Sequence, residues 1–193
     1  MVEIAKSDRR VQYTKRVLQE AVLELMKTQS IDKLTIRDIC ELADVNRGTF
    51  YLHYATPNDI LMEIEQQFIK DNMSFFSPYL SNTQETNQLE RLFSGILQSK
   101  ELSRVIMGPN GSPRFVERLK EMVREQVVNG WHAEFPEYRR DDLDYVYDYV
   151  FAGSMRIILN WIDDDRNLST EQLANRLDRL GHFCHLSIAQ FKR

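Results

Sequence analysis

The chain has 193 residues and 42% hydrophobic content, enough for one or two domains with a packed core. Its formal net charge is −4, so nothing in the total charge indicates nucleic-acid binding. We expect no signal peptide, because the N-terminus lacks an apolar stretch, and no membrane span, because Asp148 and Arg156 interrupt the most apolar segment, residues 145–162. Cys40 and Cys184 lie in separate apolar patterns and are predicted to be buried and reduced, as in a cytoplasmic protein.

The charge is distributed unevenly along the chain. Residues 1–60 carry nine Lys and Arg against nine Asp and Glu, so the remaining residues hold the whole excess of −4. Within the N-terminal part, KSDRRVQYTKR (residues 6–16) concentrates five cations against one acid. A basic segment on an acidic body suits contact with phosphates. A solvated, charged N-terminus would show the same pattern.

A 3.6-residue apolar period recurs along the chain and strand signals are nearly absent, which predicts an all-α fold. The first helix presents one apolar stripe, formed by Val17, Leu18, Ala21, Val22, Leu25 and Met26. After a break at residues 29–34, Thr35 begins a short second helix with Ile39, Cys40 and Ala43 facing inward. The turn ADVN (residues 43–46) then leads to a third helix.

That third helix is predicted in RGTFYLHY (residues 47–54), with Asn46 as its N-cap. On a helical wheel Phe50 and Tyr54 fall together and, with Val45, can pack inward. The opposite side presents Gly48, Thr49 and Leu52, flanked by Arg47, Tyr51 and His53. Leu52 is therefore predicted to point to solvent.

The fourth helix has clear start signals, with Thr56 as N-cap, Pro57 at the first helical position and Asp59 in the first turn. We expect it to bury Ile60, Leu61, Ile64 and Phe68. The polar stretch SPYLSNTQETN (residues 77–87) follows it and favours a domain boundary. The predicted organisation is a three-helix domain at 1–56, a connecting helix at 57–76 and a helical C-terminal domain at 77–193.

Four helices are predicted in the C-terminal domain. The first buries one face of residues 89–97, and the second begins at Ser112-Pro113 after the breaker-rich GPNGSP. The last two run from about residue 142 to 162 and from about residue 170 to 191, by their apolar period. Ser169 and Gln172 are predicted to form a capping box at the start of the final helix.

Short helices joined by a turn of four residues describe a helix-turn-helix. If the third helix lies in a DNA major groove, Gly48 allows close approach, Arg47 can contact a guanine edge or a phosphate, and Leu52 can meet a thymine methyl. The Tyr51 hydroxyl and the His53 imidazole can then donate to phosphates, and Arg37 on the second helix can also reach the DNA. An ordinary helix with a polar surface would show the same periodicity.

The stretch LTIRDICELADVNRGTFYLHYATPNDIL (residues 34–61) closely resembles the DNA-binding signature of TetR-like bacterial repressors. The resemblance implies a homodimer with paired recognition helices, a divergent helical C-terminal domain and often a small-molecule effector. It implies double-stranded DNA as the partner and assigns DNA-contacting positions to Thr35, Arg37, Asn46, Arg47, Gly48, Thr49, Tyr51 and His53.

Three positions depart from the pattern of that family. Asp44 stands where the family usually has a glycine in the turn, and it can adopt a left-handed conformation at some cost. Asn46 replaces the usual serine cap, which is an equivalent choice. Pro57 replaces a frequent lysine, so a side-chain contact to phosphate is lost, although backbone amides at that helix N-terminus could still bind one.

The penultimate helix is apolar on more than one face. One stripe comprises Val146, Val150, Ile157 and Trp161, and another comprises Tyr145, Tyr149, Ala152, Met155 and Leu159. A helix that is apolar nearly all round is buried on both sides, so we expect the last two helices to pair with their copy in a homodimer. The small residues Gly153, Ser154 and Gly181 would allow close packing. A monomeric core helix is the alternative.

Residues from about 105 to 180 also resemble, more weakly, a Firmicutes-type TetR subgroup that includes an activator of dihydroxyacetone-kinase operons working with a protein partner. This resemblance names no effector. Candidate residues for an effector pocket are Met107, Phe115, Met122, Trp131, Tyr145 and Tyr149. Methionines and aromatic residues at helical spacing also occur as plain core.

Catalytic and metal-binding chemistry is not predicted. His182 and His185 flank Cys184, but no further ligand cluster lies nearby in sequence, and phosphate-binding loops and hydrolase motifs are absent from the sequence. We therefore predict no enzyme activity, no cofactor and no metal. Two classes of function remain: a DNA-binding regulator, and a helical protein-interaction module that depends on a partner protein.

Overall fold

The structure, a computed structural model, describes residues 2–76, 87–163 and 168–188. Every regular element in these ranges is helical, which confirms the predicted all-α class. The α-helices are α1 Val2–Met26, α2 Ile36–Leu42, α3 Arg47–Tyr51, α4 Pro57–Phe76, α5 Asn87–Gln98, α6 Lys100–Met107, α7 Pro113–Glu134, α8 Arg140–Asp163 and α9 Thr170–Ile188, with a short 3-10 helix at Ile31–Lys33. The predicted joint at residues 77–86 and the end of the last predicted helix beyond residue 188 lie outside the described residues.

The chain divides into two units. The first comprises Met1–Ile69 together with Val105–Pro113, and the second comprises Lys70–Arg104 and Arg114–Arg193. The division therefore falls within α4, and a segment that follows α5 in sequence belongs to the first unit. Among the described residues, no helix is long and apolar enough to span a membrane.

The core of the first unit lies where α1, α2 and the end of α3 meet. The predicted stripe of α1 is buried at Leu18, Ala21, Val22 and Met26, whereas Val17 and Leu25 are half-buried. Ile39 and Cys40 of α2 are buried, and so are all four residues predicted for α4: Ile60, Leu61, Ile64 and Phe68. Each such side chain stabilises the fold by about 1.5–3 kcal/mol when it is fully buried.

In the second unit α9 packs against α5 and α8. A cluster of buried side chains, formed by Val128, Tyr138, Leu143 and Tyr147, joins α7 to α8. The predicted capping box of α9 is present, because Ser169 Oγ accepts from the Gln172 amide and Gln172 Oε1 accepts from the Ser169 amide, both at 3.2 Å. Cys184 is half-buried, so the prediction of two buried cysteines holds only for Cys40.

Two features of the second unit differ from the prediction. Helix α6 was not predicted as a separate element, and it begins directly after Ser99. The Ser103 hydroxyl of α6 donates to the Ile96 carbonyl of α5 at 3.2 Å. The inward face of α8 is formed by Leu143, Tyr147, Ile158, Trp161 and Ile162, so that of the two predicted stripes Trp161 alone belongs to it. Tyr147 faces inward because its hydroxyl donates to the Lys120 carbonyl of α7, at 2.5 Å, whereas Tyr145 is exposed.

The turn between α2 and α3 ends α2 with a left-handed residue that is not glycine. Asp44 has φ 51°, as the sequence analysis expected of this position. The Val45 amide donates to the Cys40 carbonyl at 3.0 Å, and the Asp44 amide donates to the Glu41 carbonyl at 3.4 Å. These two bonds form the Schellman motif, in which glycine is usual at the left-handed position.

Asp44→Gly should stabilise the protein. A left-handed backbone costs a residue with a side chain roughly 1–2 kcal/mol, and the greater freedom of unfolded glycine offsets about 0.4–1 kcal/mol of the gain. We expect the free energy of unfolding to rise by about 0.5–1 kcal/mol and Tm to rise by about 2 °C. Urea and thermal unfolding measure both quantities. Asp44→Ala is the matched control and should be less stable than Asp44→Gly; equal stability of the two variants would contradict the assigned backbone conformation.

Candidate nucleic-acid interface

Helix α3 is held at its N-terminus by a side-chain cap. Asn46 has an extended backbone, and its Oδ1 accepts from the Thr49 amide at 2.8 Å, which confirms the predicted N-cap. Thr49 Oγ1 also donates to the same oxygen, at 3.1 Å. A Cβ atom added to Gly48 would lie 3.1 Å from Asn46 Oδ1, so the absence of a side chain there leaves room for the cap.

The inner side of α3 is anchored by aromatic burial. Phe50 is fully buried and Tyr54 nearly so, as predicted, and their ring centroids lie 6.3 Å apart. The Tyr51 ring meets Phe50 edge-on at 5.6 Å, yet 60% of Tyr51 is exposed. Because successive residues of a helix are separated by about 100°, burial of Phe50 places Leu52 on the opposite side and Tyr51 at the edge, whereas Arg47 is exposed at the first position of α3.

The outer side of α3 presents polar groups around one apolar side chain. Leu52 is 79% exposed, which confirms its predicted orientation. Arg47 is exposed, and among the described residues its guanidinium has no hydrogen-bond or ion-pair partner. His53 and Thr49 are half-buried at the edges of this surface. An unpaired guanidinium and a phenol can donate hydrogen bonds to base edges and phosphates, and an apolar side chain can contact a thymine methyl.

Helix α2 adds two of the predicted residues. Thr35 is its N-cap, with Oγ1 accepting from the Asp38 amide at 3.2 Å and donating to Asp38 Oδ2 at 2.6 Å. Arg37 makes only a loose ion pair with Glu41, at 4.0 Å, and both side chains are about three-quarters exposed. The Arg37 guanidinium is therefore available to another partner at little energetic cost.

Two titratable groups beneath α3, the Cys40 thiol and the Tyr54 phenol, stay neutral. Burial raises the pKa of the Cys40 thiol, and the positive charge of Arg47 only partly opposes that shift. Burial likewise raises the pKa of the Tyr54 phenol, which a hydrogen bond from Gln19 lowers and the Glu63 carboxylate raises further. Both groups therefore keep their protons near neutral pH, and the charge facing outward comes from the exposed side chains alone.

The N-terminus of α4 carries an acidic side chain that accepts from backbone amides. Asp59 Oδ2 accepts from the amides of Ala55 and Thr56, at 2.9 and 2.7 Å, and Thr56 Oγ1 accepts from the Asp59 amide at 3.3 Å. Pro57 has no amide hydrogen to donate. The carboxylate of Asp59 therefore satisfies the amides of Ala55 and Thr56 and places a negative charge beside this helix N-terminus, and a backbone contact to phosphate here stays a prediction.

The six candidate effector residues differ widely in burial. Met107 belongs to the first unit, whereas the other five belong to the second. Phe115 is fully buried, Met122 and Trp131 are half-buried, and Tyr145 and Tyr149 are exposed. A role in effector binding remains a prediction for these residues. Within the described residues, no three His, Cys, Asp or Glu side chains are grouped as a metal site would require.

Comparison with known proteins agrees with this architecture. The family described as "Bacterial regulatory proteins, tetR family" matches residues 18–64, and the family described as "Transcriptional regulator C-terminal region" matches residues 82–182. An uncharacterised HTH-type transcriptional regulator of Bacillus subtilis (strain 168), YxbF, is 38% identical over 170 residues. That alignment covers 83% of this chain and 42% of the relative, so the chain spans less than half of its length.

Solved structures show the same fold at low identity. A TetR transcriptional regulator from Streptococcus agalactiae 2603V superposes with a TM-score of 0.64 at 19% identity, covering 92% of this chain and 98% of that one. The fatty acid degradation regulator FadR from Bacillus halodurans superposes with a TM-score of 0.62 at 14% identity, covering 87% and 94%. The C-terminal family match alone spans more than half of the sequence. The chain therefore belongs to the TetR family of bacterial transcriptional regulators.

Proposed function

We propose that this regulator acts in the cytoplasm as a homodimer that binds a pseudopalindromic DNA operator, with α3 of each protomer in the major groove. The observation that carries the proposal is the outer side of α3, where Arg47, Tyr51 and the 79% exposed Leu52 stand over the buried Phe50. A recognition helix of this kind contacts base edges with residues near its N-terminus. Arg47 is the first residue of α3.

Each outward group has a role that its contacts support. Arg47 contacts a guanine edge or a phosphate, Leu52 a thymine methyl, and the Tyr51 hydroxyl a phosphate. The cap consumes Asn46 Oδ1, so Asn46 would meet DNA through its amide hydrogens, which have no partner among the described residues. Gly48, Thr49, Thr35, Arg37 and His53 complete the proposed surface.

Phosphate contacts would come from few cations. The Asp59 carboxylate places a negative charge beside the α4 N-terminus, where it accepts from the Thr56 amide. Lys15 and Arg16 of the basic segment are paired with Glu63 and Glu20. Arg9 and Arg10 at the start of α1 are exposed and supply positive charge outside these pairs. The proposed complex therefore relies on base contacts and on two linked half-sites more than on charge.

Dimer formation through α8 and α9 is supported by the large side chains that these helices expose. Tyr145, Tyr149 and Phe183 are each more than 70% exposed, and Leu180 and Ile157 lie partly in solvent. Apolar patches of this composition on a protein surface mark interaction sites. Pairing of this face with its copy would fix the distance between two recognition helices, as a palindromic operator requires.

Control by a small-molecule effector is the further part of the proposal. A surface groove of about 330 Å³ lies between α7 and α8, with an apolar floor that includes Phe151, Met155 and Leu159 and a charged rim that includes Lys120 and Arg156. An apolar lining with a few charged groups suits a small amphipathic ligand. The resemblance to the dihydroxyacetone-kinase subgroup and its protein partner remains a prediction.

DNA binding is tested directly with the DNA just upstream of the gene. The purified protein should prefer this DNA over an unrelated fragment and should bind with two protomers per site. Its affinity should fall with salt by a slope of about −0.9 per phosphate neutralised. Fluorescence anisotropy across a salt series measures affinity and slope. Equal, weak binding to both fragments would contradict the proposal and favour a protein-interaction module.

Two variants of α3 should separate base from phosphate contacts on the preferred fragment. Tyr51→Phe keeps the ring on Phe50 but removes the hydroxyl, so binding to both fragments should weaken similarly, by about 0.5–1.5 kcal/mol. Arg47→Ala should cost about 1–3 kcal/mol on the preferred fragment and should also relax the sequence preference. A loss of affinity with unchanged preference would make Arg47 a phosphate contact.

The dimer face is tested by combining Tyr149→Glu with Phe183→Glu. Burying these two carboxylates at an interface is costly, so the variant should be monomeric by light scattering and should lose about 10²-fold or more in operator affinity. Leu97→Glu is the matched control, because Leu97 is 40% exposed on α5, outside the proposed face. A folded double variant that stays dimeric would exclude this face.

A further inference from the structure

The end of α3 is connected to α1 and α4 by four side chains that are not among the proposed DNA contacts. Lys15 Nζ lies 3.0 and 2.9 Å from the two carboxylate oxygens of Glu63. The same ammonium lies 5.3 Å from the centroid of the Tyr54 ring. Gln19 Nε2 donates to the Tyr54 hydroxyl at 3.3 Å. We call these four residues the Tyr54 cluster.

Because α3 is short, its orientation depends on contacts with neighbouring helices. Five residues form little more than one helical turn, and such a helix does not keep its conformation or direction alone. Its N-terminus is fixed by the Asn46 cap, and its C-terminal end is fixed by Phe50 and Tyr54. Apolar packing is non-directional, whereas the hydroxyl and the ring face of Tyr54 have defined partners on α1 and α4.

The Lys15–Glu63 pair is a weak source of stability. The two side chains are 29% and 39% exposed, and ion pairs at such partly exposed positions contribute little to stability because solvent screens them. Lys15 belongs to the basic segment and would, from sequence alone, be assigned to a phosphate. In the structure its ammonium contacts both carboxylate oxygens of Glu63 and faces the Tyr54 ring. We therefore expect these contacts to affect the orientation of α3 more than the stability of the protein.

We propose that Lys15, Gln19 and Glu63 are positioning residues, which set the orientation of α3 through Tyr54 and thereby the affinity for specific DNA. The inference rests on the proposed DNA-binding function. Lys15 acts through Glu63 and Tyr54 and does not contact a phosphate. Specific binding depends on the alignment of Arg47 and Tyr51 with the groove, whereas binding to unrelated DNA depends mainly on charge.

Glu63→Gln distinguishes positioning from phosphate binding by the sign of its effect. If the cluster positions α3, specific affinity should fall by about tenfold, because residues in contact are energetically coupled, while affinity for unrelated DNA stays equal or rises. If Lys15 binds phosphate, removal of its acidic partner should raise affinity for both DNAs. Glu20→Gln is the matched control, since it removes an acid from the exposed Arg16–Glu20 pair of α1 and should not reduce specific affinity.

The charge-reversed pair tests geometry independently of net charge. Lys15→Glu alone should lose specific affinity, and Lys15→Glu with Glu63→Lys should regain most of it, with Tm of each variant confirming a folded protein. Glu63→Gln with unchanged or raised specific affinity would overturn the inference while the wild type still prefers its operator. Absence of that preference in the wild type would overturn the proposed function and, with it, the inference.

Discussion

Burial of Phe50 is the constraint on which the outward surface of α3 depends. With Phe50 fully buried, helical geometry turns Leu52 to solvent and leaves Tyr51 at the edge, while Arg47 is exposed at the start of this helix of only five residues. Such a short helix exists because both of its ends are fixed from outside. The left-handed Asp44 and the Asn46 cap set its start, and Tyr54 sets its end. Loss of any of these would move the proposed DNA contacts together.

Charge is arranged to limit, rather than to maximise, attraction to DNA. The Asp59 carboxylate accepts from two backbone amides beside the α4 N-terminus, and Lys15 is paired with Glu63. In the proposed complex, few cations remain for phosphates, so non-specific binding would be weak. Specificity would then come from a small set of base contacts read twice by a symmetric dimer. The exposed aromatic side chains of α8 and α9 are the groups that would hold the two copies together.

Local sequence signals predicted the helix-turn-helix well, because caps, turns and one-sided apolar stripes act over a few residues. The Asn46 cap, the burial of Phe50 and the exposure of Leu52 follow from such signals, whereas the left-handed Asp44 was indicated by the family resemblance. The buried face of α8 could not be predicted in full, because a helix that is apolar on several sides does not indicate which side packs inward. The hydrogen bond from the Tyr147 hydroxyl to the Lys120 carbonyl of α7 depends on the tertiary structure. Asp59 was predicted as an acidic residue in the first turn of α4, but its hydrogen bonds from the backbone amides of Ala55 and Thr56 were not predicted. The Lys15–Glu63 pair joins residues 48 positions apart, beyond any local pattern.

The central claim is that the Leu52 side of α3 faces DNA in two symmetric copies. The most direct test attaches an iron-chelate DNA-cleaving reagent to Leu52→Cys, with identically treated wild type accounting for Cys40 and Cys184. We expect two clusters of cleavage on the preferred DNA, related by a two-fold axis and separated by about 10–10.5 base pairs or a multiple of it. Cleavage that is absent or uniform, on DNA that the labelled protein still binds, would contradict the central claim.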